Sequence, residues 1–113
     1  MHEYYVAEQI VNITLKEAEA QKANKVNKVK VIIGELQAVI DESLTLYFEL
    51  LTADTIAAGA SLEIVPVRAV LFCSHCNLRF DKNYYFACPR CGKKGALTDT
   101  GRELYVEAIE VTC

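Results

Sequence analysis

Two pairs of cysteines have the spacing of metal-binding knuckles. Two residues separate Cys73 from Cys76 and Cys88 from Cys91, and 11 residues lie between the pairs. A Cys-x-x-Cys turn delivers two thiolates to one ion, and its backbone N–H groups can donate to the sulfurs. Zn²⁺ prefers four such soft ligands in a tetrahedron. The spacing therefore predicts a structural four-cysteine zinc site, and Gly92 permits a tight turn after the second pair.

Other uses of these thiols are weaker hypotheses. A disulfide pair or a redox dithiol is the alternative, but two such motifs in a chain without a thioredoxin-like pattern would be unusual. His75 lies inside the first knuckle, but four thiols already complete the tetrahedron, so we interpret it as a solvated residue. Cys113 is the last residue, and we expect a free thiol there. Four aromatic residues of the spacer are expected to cover the site: Phe80, Tyr84, Tyr85 and Phe86.

The segment that holds the knuckles, 73–95, is locally basic. Its five basic residues and one acidic residue give it a charge of +4, which leaves −7 for the remaining residues. Basic and aromatic residues together are compatible with nucleic acid, but the acidic remainder opposes a phosphate backbone. An acidic protein partner is a comparable use of this surface. A third interpretation is that the cations solvate the segment and offset its thiolate charge. We expect no nucleic-acid partner.

The first three residues, Met1, His2 and Glu3, form a second candidate site. The terminal amine, the backbone nitrogen of His2 and its imidazole can close fused chelate rings on one ion. Such a nitrogen-rich, near-planar donor set suits Ni²⁺ or Cu²⁺. Glu3 can add an oxygen ligand or orient the site. As a bare pattern this start is weak, and a frayed, solvated terminus is the alternative.

Composition and charge exclude several classes of function. The 113 residues are 52% hydrophobic and 24% charged, with a net charge of −3, as in an ordinary soluble domain. The chain has no apolar run long enough for a membrane span and no secretory pattern at its start, so we expect a cytoplasmic protein without a membrane partner. We find no catalytic triad, no Cys–His nucleophile and no glycine-rich phosphate loop. We therefore expect a protein that is not an enzyme.

The elements that must position these residues follow from hydrophobic periodicity. Apolar residues at helical spacing predict a helix over 3–22 and a second one starting near Asp41, with Asp41 as its N-cap. Alternation predicts strands over 28–33, 62–67 and 104–109. In the last of these, both faces carry apolar residues, so its inward face is ambiguous.

The order of elements predicts an α+β fold. We expect a small three-stranded sheet with two helices on one face, and a zinc ribbon inserted into it. The predicted domains are a discontinuous nickel-binding α/β domain, 1–72 and 96–113, and the zinc-ribbon module, 73–95. We expect a monomer or a weak homodimer, since an apolar strand at a sheet edge makes strand exchange possible.

Several short motifs occur in an order that resembles one known family. They are Met1-His2-Glu3, Gly34-Glu35-Leu36, the apolar face of Leu44 to Phe48, Gly59-Ala60-x-Leu62-x-Ile64 and the paired knuckles. Together they resemble the hydrogenase-maturation nickel metallochaperones (HypA/HybF) from end to end. One position departs from the pattern, because Tyr5 stands where family members usually have a small residue.

The resemblance implies specific metals and partners. It implies transported Ni²⁺ at Met1, His2 and Glu3, and structural Zn²⁺ at Cys73, Cys76, Cys88 and Cys91. It also implies delivery of nickel to the large subunit of [NiFe]-hydrogenase with a partner GTPase, and in some members to urease. The alternative is a zinc-ribbon adaptor that binds protein or nucleic acid, in which the first three residues have no metal role.

Overall fold

The computed structural model describes residues 2–113 and has two helices and six strands there. In chain order these are α1 (His2–Ala20), β1 (Lys25–Gly34), a 3-10 turn (Glu35–Gln37), α2 (Asp41–Thr52), β2 (Ser61–Val67), β3 (Val70–Cys73), β4 (Leu78–Asp81), β5 (Ala96–Leu97) and β6 (Leu104–Thr112). The predicted α+β class is confirmed. No helix within the described range is long and apolar enough to cross a membrane.

The chain forms two compact units. The first contains the described residues up to Ile32, together with Val39–Val65 and Leu104–Cys113, and the second contains Ile33–Ala38 and Pro66–Glu103. The second unit includes all of the cysteine segment and extends beyond it on both sides. The domain bounds at 72/73 and 95/96 stay a prediction.

The first unit is a three-stranded sheet with two helices. The strand order is β2-β1-β6, so the last strand completes the sheet as predicted. Helix α1 packs against α2 and against β6. The apolar stripe that predicts α1 has seven residues, and six of them are buried: Val6, Ala7, Ile10, Val11, Thr14 and Ala18. The seventh, Leu15, is half-buried. The helix ends at Ala20, before the predicted limit, because Lys22 adopts a left-handed conformation with φ 56°.

The start of α2 differs from the prediction in one respect. Asp41 is the first helical residue, and the N-cap is Ile40, which has no side-chain acceptor of its own. Instead, the backbone N–H of Ile40 donates to the Glu3 carboxylate on α1 at 3.0 Å. The acceptor at this helix start therefore comes from a residue far away in sequence, which local capping rules cannot reveal. Asp41 still stands in the first turn, where a carboxylate suits the helix dipole.

Burial resolves the ambiguous face of β6. Leu104 and Val106 are half-buried, and so are Ile109 and Val111, whereas two consecutive residues between these pairs are exposed. Even-numbered residues therefore face inward in the first half of the strand, and odd-numbered residues face inward in the second half. This change explains why both alternations carry apolar residues.

The polar face of the sheet carries ion pairs across its strands. Lys28 on β1 reaches Glu63 on β2 at 2.8 Å, and Lys30 reaches Glu107 on β6 at 3.2 Å. The hydrogen bond and charge of Lys28 hold the pKa of Glu63 below its usual value. These side chains are exposed, so the pairs contribute little stability, but they favour this strand order.

The second unit is a smaller sheet with the order β4-β3-β5. Strand β3 pairs antiparallel with β4, so that Leu71 is opposite Phe80 and Cys73 is opposite Leu78. This register places the first cysteine of the first knuckle at the end of a buried strand. Leu71, Phe80, Cys73 and Cys88 form the core of this unit.

Gly34 ends β1 at a close approach of two backbones within the second unit. Its N–H donates to Glu103 O at 2.7 Å, and a Cβ at this position would lie 2.1 Å from the carbonyl group of Gly101. Since backbone atoms cannot move aside like a side chain, we expect Gly34→Ala to destabilise the zinc-loaded protein by about 3 kcal/mol. Urea unfolding monitored by circular dichroism measures this effect.

The matched control is Gly59→Ala. Gly59 has φ 77° and no atom within 4 Å of the added Cβ, so only the cost of a left-handed alanine remains, about 1 kcal/mol. Equal losses in the two variants would contradict the steric explanation for Gly34.

Candidate metal centres

The structure brings the four predicted cysteines together. The Sγ atoms of Cys73, Cys76, Cys88 and Cys91 all lie within 4.8 Å of one another. A tetrahedral zinc ion with Zn–S near 2.3 Å places its sulfurs about 3.8 Å apart. Cys73 Sγ and Cys91 Sγ are 3.6 Å apart, close to that spacing and too far for the S–S bond of about 2.05 Å in a disulfide. The cluster is a four-cysteine metal site, and its donor set fits zinc.

In each knuckle a backbone N–H group donates to the Sγ atom of the first cysteine. Cys76 N–H donates to Cys73 Sγ, and Arg90 N–H donates to Cys88 Sγ, both at 3.4 Å. The residue after each pair is left-handed, with φ 53° at Asn77 and 78° at Gly92. Asn and Gly are the residue types that adopt this conformation most readily. Asn77 follows the first cysteine pair as Gly92 follows the second, so Asn77 is a further turn signal that the sequence carries beside the cysteine spacing.

Burial divides each pair in the same way. Cys73 and Cys88, the first cysteines, are 2% exposed, whereas Cys76 and Cys91 are half-buried. Burial and hydrogen bonds from the other three thiols raise the pKa of Cys76 to about 12. At Cys88 burial opposes ionisation, but hydrogen bonds from the N–H groups of Cys91 and Arg90 and from the thiols of Cys73 and Cys91 together lower the pKa to about 7. A bound cation supplies the charge that full ionisation of the cluster requires.

Only half of the predicted aromatic cover is present. Phe80 is buried in the core beside the cysteines, and Phe86 packs against that core. Tyr84 and Tyr85 are 86% and 74% exposed, so the prediction that they cover the site is wrong. The turn that contains them directs Phe86 inward and leaves the two preceding side chains outside, which composition alone does not determine.

The remaining histidine and cysteine candidates, His75 and Cys113, lie at the surface. His75 is exposed within its knuckle. It is not part of the four-residue cluster. Cys113 is exposed at the other end of the chain, where its thiol donates to the Gln21 carbonyl at 3.6 Å.

The second candidate centre lies at the start of α1. His2 is the first residue of the helix and is exposed, and Glu3 is half-buried. Met1 lies outside the described residues, so the structure places two of the three predicted ligands. One Glu3 carboxylate oxygen accepts the hydrogen bond from Ile40, and this hydrogen bond holds the pKa of Glu3 below its usual value. Glu3 therefore anchors the first turn of α1 to the segment before α2.

Two tyrosines next to these residues have different roles. The ring of Tyr4 meets that of Tyr47 on α2 edge to face, with centroids 5.5 Å apart, so it also fixes the start of α1. Tyr5, the departure from the family pattern, is 58% exposed, and its hydroxyl accepts a hydrogen bond from Gln9 one turn later. Tyr5 thus lies along the helix surface and takes no part in the core.

Comparisons with known proteins cover the whole chain. The family described as "Hydrogenase/urease nickel incorporation, metallochaperone, hypA" matches residues 1–111. A hydrogenase maturation factor HypA from Caldanaerobacter subterraneus subsp. tengcongensis is 45% identical over 98% of this chain and 99% of its own length. One from Azotobacter chroococcum is 40% identical over the same shares of the two chains.

Solved structures agree with the sequence relatives. The solution structure of the Ni metallochaperone HypA from Helicobacter pylori is similar with a TM-score of 0.64 and 28% identity, over 99% of this chain and 98% of that one. A second solution structure of a HypA protein has a TM-score of 0.67 at 28% identity, over 98% and 96% of the two chains. With the four-cysteine site and the α+β fold already established, these matches show that the chain belongs to the HypA family of metallochaperones.

Proposed function

We propose that the chain is a nickel carrier for hydrogenase maturation. In this proposal Met1, His2 and Glu3 bind Ni²⁺, and the carrier delivers it in the cytoplasm to the large subunit of a [NiFe]-hydrogenase with a partner GTPase. Urease machinery is a further client. The observation that carries the proposal is the family match along the whole chain, whose description couples nickel incorporation to hydrogenase and urease.

The start of α1 suits a cargo ion. The N–H groups in the first turn of an α-helix take no part in its i→i−4 hydrogen bonds, so a metal bound through the His2 backbone nitrogen leaves that ladder intact. His2 is exposed and Glu3 is held in place by Ile40. An exposed site with few protein ligands allows nickel to leave by ligand exchange with a client, which a carrier requires.

The four-cysteine cluster suits a resident ion. We propose that Cys73, Cys76, Cys88 and Cys91 hold structural Zn²⁺, because two of these thiols are buried and all four sulfurs approach a tetrahedral spacing. Zinc saturated by four thiolates has no open coordination position, which zinc catalysis needs. This supports a carrier without catalytic activity of its own.

Calorimetric titration of the untagged, zinc-loaded chain with Ni²⁺ near neutral pH tests the proposal. We expect the chain to bind one nickel ion. Its zinc content, measured by mass spectrometry, should not change. Incubation of the loaded carrier with a nickel-free large subunit should then move nickel to the large subunit. Absence of stoichiometric nickel uptake would refute the carrier, and displacement of zinc by nickel would show that the cysteine cluster is the nickel site.

A further inference from the structure

An exposed aromatic pair stands on the turn before the second knuckle. The rings of Tyr84 and Tyr85 meet edge to face with centroids 4.9 Å apart, and both side chains are more than 70% exposed. Neither contributes to the core of its unit. Large aromatic side chains held in water are typical anchors of protein interfaces.

The turn that presents this pair is held by hydrogen bonds of one residue. The Asn83 side chain donates to Ala87 O at 2.7 Å and accepts from Ala87 N–H at 3.0 Å, and Asn83 O accepts from Phe86 N–H at 3.2 Å. Phe86 is left-handed, with φ 57°, and packs inward under the Lys82 ammonium. The tyrosines are therefore presented in an ordered geometry, which lowers the entropy cost of binding a partner.

Cations lie next to the same turn. The chain after Phe86 forms a hairpin in which Ala87 pairs with Lys94, and Cys88 N–H donates to Lys93 O. Both lysines and Arg90 at the hairpin end are exposed, and within residues 2–113 none of the three has a carboxylate within 4.0 Å. In contrast, Lys28 and Lys30 in the first unit are paired with glutamates.

Tyr84 and Tyr85 on the turn, and Arg90, Lys93 and Lys94 on the adjoining hairpin, are named together the tyrosine–lysine surface. Its charge distinguishes the partners that it could bind. The second unit has seven basic and four acidic residues, which give it a net charge of +3. The first unit has five basic and eleven acidic residues, which give it a net charge of −6. Four thiolates on a divalent ion would lower the charge of the second unit to about +1. A nucleic acid carries one charge per phosphate along its whole length, so the net charge of −3 on the whole chain opposes its binding.

We propose that the tyrosine–lysine surface binds an acidic segment of a partner protein. A few carboxylates can pair with Lys93, Lys94 and Arg90, while the tyrosine rings cover the apolar part of the same segment. A short segment brings little long-range charge, so the net negative charge of the chain opposes it far less than it opposes a polyanion. The inference does not depend on nickel binding, and its failure would leave the proposed carrier function untouched.

Three probes are used. The first is a short fluorescein-labelled acidic peptide of glutamates around a single phenylalanine, and the second is the same peptide with every glutamate replaced by glutamine. The third is a uridine oligonucleotide of equal length. They are titrated into the ¹⁵N-labelled, zinc-loaded full chain at low and physiological salt. We expect the acidic peptide to bind at least about tenfold more tightly than the neutral one and to shift amide signals of residues 82–95.

Paired variants separate the aromatic from the charge contribution. There are two double variants: one combines Tyr84→Ser and Tyr85→Ser, and the other combines Lys93→Glu and Lys94→Glu. Each double variant should weaken binding of the acidic peptide about tenfold. The matched controls lie in the first unit: Tyr105→Ser removes an aromatic residue that is 50% exposed, and Lys16→Glu with Lys25→Glu reverses two exposed charges. The controls should change affinity less than about twofold, and every variant should keep its zinc.

Four results would overturn the proposal. They are tighter binding of the oligonucleotide than of the peptide, equal binding of the two peptides, shifts confined to the first unit, and losses in the controls that equal those in the paired variants.

Discussion

Replacing His2 with alanine should abolish tight nickel binding and leave zinc in place. The proposed chelate uses the terminal amine, the His2 backbone nitrogen and the imidazole, and alanine removes the imidazole and with it one chelate ring. Loss of an outer-shell partner of a metal ligand costs about 10- to 100-fold in affinity, so loss of a direct ligand should cost at least about 100-fold. Calorimetric titration with Ni²⁺ on untagged protein measures the change.

Two further forms make this result specific. The chain has only one other histidine, and His75→Ala should bind nickel normally because His75 is exposed within a knuckle. A form extended by residues before Met1 lacks the amine in the chelate, and it should lose tight nickel binding as His2→Ala does. Since the donors must be deprotonated, nickel affinity should also fall as pH falls. Unchanged affinity in His2→Ala would show that nickel binds elsewhere.

Replacing Cys73 with serine should release zinc and unfold the sheet of the second unit. Cys73 ends β3, is 2% exposed, accepts the N–H of Cys76 and lies 3.6 Å from Cys91 Sγ. A hydroxyl is a poor zinc ligand, and the free energy of zinc binding is coupled to the folding of such a module. We expect a loss of several kcal/mol, measured by thermal unfolding together with metal analysis.

Cys113→Ser is the matched control for this variant. The exposed Cys113 is not part of the cluster, so its replacement should change neither zinc content nor unfolding temperature. Treatment of the unaltered chain with a strong chelator should reproduce the effect of Cys73→Ser, because both remove the same ion. Stoichiometric zinc in Cys73→Ser would contradict the four-thiol assignment.

Local patterns were sufficient for most of the elements. The helical spacing of Val6, Ile10 and Val11 marks the buried face of α1, and the alternation around Val29 and Val31 marks β1, because these patterns repeat along one element. Strand β3 was missed because it is only four residues long and runs directly into the first knuckle, where the cysteines obscure its alternation.

The residues of both candidate sites could be named from the amino-acid sequence. Each Cys-x-x-Cys pair can direct two thiolates to one ion whatever surrounds it, because the spacing within the pair is local, and His2 and Glu3 are neighbours in the chain. Three features became visible only in the folded chain. The carboxylate of Glu3 accepts the N–H of Ile40, the inward-facing residues of β6 change from even to odd numbers, and Tyr84 and Tyr85 face water. Each of these outcomes depends on packing between elements distant in sequence or on one turn conformation, which short-range periodicity does not encode.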